Sequence, residues 1–180
     1  MPSSRRLSQR ISEGDGISII VCVDDAVAAQ RAEEQGAEAV AVASPIAGIR
    51  DATSLPLLWI GGPAPADVDA IRIRPEDDPE GHDHLEAVVD VRDEEELELA
   101  LERLDPEIFL LNAADIDGDV DPLDAVLELL PDVPAGKLAI AQVAVSTREE
   151  VLALERAGVD AVLVAGADVG VLVGDQPLDV

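Results

Sequence analysis

Short apolar runs return along the chain at intervals of roughly twenty residues. They read "ISIIVCV" (17–23), "AVAVA" (39–43), "LPLLWI" (55–60), "AIRIR" (70–74), "AVVDV" (87–91), "EIFLLN" (107–112), "LAIAQV" (138–143) and "AVLVA" (161–165). Their length and β-branched content predict eight strands. Most are apolar at nearly every position, which suits a parallel sheet buried on both faces.

Helical patterns fill several of the gaps. "AVAAQRAEEQG" after Asp25 stops at Gly36, a residue suited to the position after a helix end. "DEEELELALERL" sets Leu97, Leu101 and Leu104 on one face and acids on the other. "DPLDAVLELL" begins with Asp121 as N-cap and Pro122 at the first helical position, and Leu123, Val126, Leu127 and Leu130 line its apolar face. "STREEVLALERAG" opens with a capping box from Ser146 to Glu149 and ends at Gly158.

One unit occurs twice. "RAEEQGAEAVAVAS" (31–44) and "ALERAGVDAVLVAG" (153–166) both run from helix through Gly, a small residue and an acid into a buried strand. Alternation of strand and helix leaves a doubly wound sheet or an eight-stranded barrel, and eight strands favour the barrel. The expected fold is α/β: a compact, shortened (β/α)8 TIM-type barrel with reduced helices after strands two to four, where "GGPAPAD" and "PEDDPEGHDH" read as loops. Residues 1–15 form an N-terminal arm and 16–180 a single domain. The thin coat predicts exposed barrel wall on one side, and with it self-association into a homo-oligomer.

Charge narrows the partners. The chain has 39 acidic residues against 12 Lys and Arg, a net charge of −27 in 180 residues, yet is 48% hydrophobic. Such a field repels nucleic acid and anionic membranes. A surface this acidic equally suits a protein kept soluble at high salt. The one cysteine, Cys22, sits in an apolar run and reads as a small core residue. The absence of a possible intrachain disulfide, of a signal-like leader and of a membrane-length apolar run predicts a cytoplasmic protein. No cofactor is expected.

The stretch "NAADIDGDVDPLD" (112–124) holds five aspartates but fails as a calcium loop. Counted from Asp115, Val120 and Val126 stand where an EF-hand needs Gly and Glu. His82 and His84 in "GHDH" have no third ligand at a recognisable spacing, so no metal site is expected.

The segments "VVDVRDEEELELAL", "IFLLNAADIDGDVDPLDAVLELLPDVP" and "LAIAQVAVSTREEVLALERAGVDAVLVAG" together resemble the second half of indole-3-glycerol phosphate synthase over residues 86–166. A weaker resemblance covers 31–60. It implies the barrel and a lyase of tryptophan biosynthesis that closes an indole ring on a phosphorylated anilino-sugar. It also implies lysines at the ends of strands one and three, a carboxylate proton shuttle and a phosphate cradle.

Against that pattern the chain is stripped. Trp59 and Ile60 stand where the family has Arg and Lys, and the sole lysine, Lys137, falls at the start of strand seven. Asp90 replaces a glutamate, Asn112 matches the first asparagine of strand six, and Ala114 replaces an arginine. Gln142 replaces a glutamate, and Val143 and Ala144 replace the Ser-Gly that helps hold phosphate. Asp90, Asn112 and Gln142 are the candidate catalytic residues. Gly166, retained after strand eight, and Arg74 are the candidates for holding phosphate or another ligand. Arg72 and Arg74 share one side of strand four, read as the outer surface; inward, Arg74 would sit near the mouth.

The expected function is that of a non-catalytic relative binding a small ligand, a phosphorylated one among the candidates, or a protein partner. The competing expectation is a lyase or isomerase acting on a small phosphorylated metabolite, with Asp90 as acid/base and Asn112 orienting the substrate.

Overall fold

The computed structural model describes residues 7–78, 80–113, 118–166 and 168–174. Every predicted strand forms: β1 (Ser18–Cys22), β2 (Ala39–Val42), β3 (Leu57–Trp59), β4 (Ala70–Ile73), β5 (Glu86–Val91), β6 (Ile108–Asn112), β7 (Leu138–Gln142) and β8 (Ala161–Ala165). All pairs are parallel, and β8 pairs with β1 to close the barrel in sequence order.

Two concentric apolar layers follow from the strand alternation. Ile20, Ala41, Leu58, Ala70, Val88, Leu110, Ile140 and Leu163 belong to the inner set. Their neighbours along the strands, among them Val21, Val40, Trp59, Ile71, Val89, Phe109 and Val162, belong to the outer set packed under helices and loops. Alanines on β2, β4 and β8 inside the ring set small residues against large ones, as a filled small barrel requires.

The outer helices are α2 (Ala26–Glu34), α3 (Ile49–Ala52), α4 (Glu94–Arg103), α5 (Pro122–Leu129), α6 (Arg148–Ala157) and α7 (Val169–Val173). Asp25, Asp93 and Asp121 cap α2, α4 and α5, each side chain accepting a backbone N–H of the first turn. The capping box of α6 sits one residue later than expected. Thr147 and Glu150 form it, because the Glu150 carboxylate reaches back to the backbone of both Ser146 and Thr147. The helix then begins at Arg148 with Val151 and Leu154 buried.

The N-terminal arm contributes more than its sequence suggested. Residues 7–13 form helix α1, and its Leu7 and Ile11 enter the inner apolar set with almost no exposure. Both the backbone N–H and the hydroxyl of Ser8 donate to Glu86 at the start of β5, and Arg10 pairs with Glu38 just before β2. Helix α1 therefore stoppers the amino-terminal end of the barrel.

The thin side has the reduced helices expected of it: after β2 comes the four-residue α3, and among the described residues no helix follows β3 or β4. The wall is nevertheless covered: Leu57, Trp59, Ile71 and Ile73 are buried in a set that includes Ile49, Leu55 and Val68 from the loops. Among the described residues the exposed large hydrophobics are Val27, Val120 and Val171, none of them on a strand. The bare wall offered as a reason for self-association is absent there.

The twice-used unit also acquires a place. Its two strands, β2 and β8, are the two neighbours of β1, with Ile20 opposite both Ala39 and Leu163. A duplicated half-barrel would set its copies four strands apart, so the likeness is one of local joint and not of halves.

Candidate functional site at the barrel mouth

Strand alternation carries Cys22, Ile60, Arg72, Asp90, Asn112 and Gln142 to the inside at the carboxyl ends, where this fold builds its sites. Asn112 lies opposite Gln142 in the β6–β7 register, and its side-chain amide donates to Asp90 Oδ2 at 3.2 Å. The three candidate catalytic residues are thus brought together.

Arg72 joins them, contrary to the outward reading. Its Nη2 donates to the Ile60 carbonyl at 2.9 Å, and its Nε stands 4.0 Å from Asp90 Oδ2. The second distance is an ion-pair contact and too long for a hydrogen bond. The inward face of β4 begins with Ala70, which fixes the parity that brings Arg72 in. Cys22 is the other unexpected member. Burial pushes its thiol up from the ordinary value, and the Arg72 guanidinium pulls part of that shift back.

At the mouth two buried oxygens lack a partner among the described residues, Asp90 Oδ1 and Gln142 Oε1. Asp90 is only 2% exposed, so its orphan oxygen carries a desolvation cost of about 1–3 kcal/mol. An uncompensated acceptor in the core of a mouth is a natural place for a ligand donor.

The candidates for anion binding fare differently. Arg74 is engaged at 2.9 Å by Glu96 of α4 and at 3.6 Å by Glu76, so its charge is already paired within the protein. Gly166 adopts φ of +62° with open space where a Cβ would stand, so its glycine answers to backbone conformation and not to close approach. Beyond it, the carboxylate of Asp168 accepts the Gly170 N–H at the start of α7. A negative charge already sits on that helix end. Ala114, with Asp115, Ile116 and Asp117 of the aspartate-rich stretch, lies outside the described residues.

Other candidates resolve into structure. Gly61 is glycine because a Cβ there would lie 2.2 Å from the Ala43 carbonyl oxygen, which accounts for "GGP" by packing. Ile60 faces inward where the resemblance calls for a lysine, while Trp59 faces the outer layer and donates its ring N–H to the Gly62 carbonyl. Lys137 pairs with Asp105 at 2.9 Å and lines a surface recess with Ser8 and Ser12 of the stopper helix, at the end opposite the mouth. Among the described residues no three His, Cys, Asp or Glu side chains group as metal ligands.

The mouth is divided by polarity. Arg72, Asp90, Asn112 and Gln142 occupy the arc from β4 to β7. The opposite arc is mostly apolar and opens into a cleft of about 470 Å³ lined by Cys22, Ala41, Ala43, Ile60 and Val169, with Asp24, Arg31 and Gln35 also on its wall. That volume falls in the range of small-ligand sites.

Comparison with known proteins agrees with the resemblance read from the sequence. Residues 81–169 match the family model described as indole-3-glycerol phosphate synthase. The enzyme of that name from Geobacillus sp. (strain WCH70) is 34% identical over 80 residues, 44% of this chain and 31% of the relative. That of Variovorax paradoxus (strain S110) is 39% identical over 83 residues, 46% of this chain and 31% of the relative. The chain thus spans about a third of the length of these curated relatives. A solved structure described as the N-acetylmannosamine-6-phosphate 2-epimerase from Clostridium perfringens superposes with a TM-score of 0.65 at 17% identity, covering 86% of this chain and 87% of that one. At that identity the superposition speaks for the fold alone. From β5 to β8, then, the sequence of this closed (β/α)8 barrel is similar to that of indole-3-glycerol phosphate synthase.

Proposed function

We propose that this chain is a non-catalytic relative of indole-3-glycerol phosphate synthase that binds a small ligand in its mouth. The observation that carries the reading is the position of its one lysine. The resembled chemistry asks for a cationic acid over the substrate carbonyl, and Lys137 is held by Asp105 at the far end of the barrel. The inward position at the end of β3 is Ile60, which supplies no proton. Arg72 is committed to structure, its Nη2 donating to the Ile60 carbonyl. Gln142 has the shape of a glutamate without its basicity.

The test is a fluorescence assay for indole product with the family's anilino-deoxyribulose phosphate substrate. A flat trace is expected. Signal above a matched blank that disappears in Asp90→Ala would overturn the proposal.

A second reading rests on the contact of Asn112 with Asp90. A buried carboxylate oriented by an amide can move a proton, as a lyase or isomerase of phosphorylated metabolites would need. N-acetylmannosamine 6-phosphate, the compound in the name of the superposed enzyme, is the first substrate to try. Turnover lost in Asp90→Ala with the fold intact would favour this second reading.

A further inference from the structure

We propose that the mouth takes a small amphipathic cation, an ammonium or amidinium group on a compact apolar body, and not a phosphorylated ligand. The inference rests on the ligand-binding reading above and names the class of ligand.

The buried unpaired atoms at the mouth are acceptors, while Arg72, partly exposed, keeps Nε beyond hydrogen-bond reach of Asp90. Asp90 Oδ1 and Gln142 Oε1 are buried without partners among the described residues. An amide can turn over to present oxygen or nitrogen, so Asp90 is the fixed acceptor of the two. Its other oxygen already receives Asn112 and faces Arg72. Arg72 in turn spends Nη2 on the Ile60 carbonyl. A ligand N–H reaching Oδ1 would make a charge-assisted bond where the protein makes none.

An anion meets the reverse arrangement. Arg74 is held by Glu96 and Glu76, and the Asp168 carboxylate occupies the start of α7 beside Gly166. The net charge of −27 repels an anion before it arrives and draws in a cation. The opposite arc supplies the rest of the fit: apolar Ile60, Ala41, Ala43 and Cys22 border the cleft of about 470 Å³, room for a ring or short chain, while Asp24 and Arg31 line it with one charge of each sign.

Benzylamine, benzyl alcohol and phenyl phosphate share a similar body and separate the head groups. Each is titrated into the full chain at one ionic strength high enough to screen surface charge, and the backbone amide resonances of residues 90, 112 and 142 are followed. Benzylamine is expected to shift those resonances saturably, benzyl alcohol more weakly and phenyl phosphate not at all. Asp90→Asn, which keeps shape and the amide contact, should weaken benzylamine by roughly tenfold or more, as loss of a charge-assisted hydrogen bond does. Gln142→Leu should weaken it less. Benzylamine binding unchanged in Asp90→Asn would mean adsorption of cations to the acidic surface and would overturn the proposal. So would phenyl phosphate binding at the mouth, or no response to any of the three. The ligand-binding reading fails separately, by turnover in the indole assay.

Discussion

Asn112 at the end of β6 donates its side-chain amide to Asp90 Oδ2 on β5, a 3.2 Å bond between two side chains that are each at least 95% buried. The bond ties neighbouring strands at the mouth and leaves the second carboxylate oxygen facing inward without a partner among the described residues. Removing the donor strands a buried carboxylate. Asn112→Ala should therefore lower stability by about 1–3 kcal/mol in urea unfolding. A change within error would mean that the amide contributes nothing to holding Asp90.

The inward turn of Arg72 can be read through Cys22. Burial raises the thiol and Arg72 lowers it, burial being the larger effect. Thiol labelling should need a pH above that of a free cysteine, since the thiolate is the reactive form. In Arg72→Met the labelling profile should move to still higher pH, because the nearby positive charge that favours thiolate is gone. An unmoved profile would place the guanidinium away from the mouth.

The stopper at the other end has its own energetic signature. Leu7 is fully buried in the inner apolar set although it stands near the start of the described chain. Leu7→Ala should cost about 2–5 kcal/mol, the range for a buried leucine truncated in a packed core. Urea unfolding measures it. A cost below about 0.5 kcal/mol, typical of an exposed site, would mean that α1 does not seal the barrel.

Acid should loosen the thin side. The Ser54 hydroxyl, followed by the Thr53 hydroxyl and the Ser54 backbone, hydrogen-bonds the Glu33 carboxylate and holds it below the usual range. A carboxylate lowered on folding adds stability above its unfolded pKa, and that stability is lost as pH falls through the folded value. Glu33 is mostly solvated, so the effect is small. In Glu33→Gln the stability lost between neutral pH and the acid side of the carboxylate range should be slightly less than in the parent. An equal loss in both proteins would remove Glu33 from the account.

All eight strands were legible because each is a short apolar run between turn signals, and the cap of α5 because Asp121 stands directly before Pro122. The faces of the strands were not. In a barrel wrapped by helices both faces are apolar, so "AIRIR" does not say whether its arginines or isoleucines point inward. Only the closed ring and the place of Ala70 in the inner set decide it. Asp90, Asn112 and Gln142 could be named because the resemblance marks strand ends. Arg72 and Cys22 could not, since neither falls in the well-matched segment. The arm was opaque for a simpler reason: Leu7 and Ile11 are two apolar residues among polar ones, a pattern too sparse to announce burial.

The single lysine has one more consequence, which concerns handling. With Lys137 beside the stopper helix, side-chain amine chemistry is confined to the end of the barrel away from the mouth. Coupled to a surface through that side chain, every molecule would stand the same way up. Its mouth would open toward the solution, and a ligand screen would meet one uniform orientation.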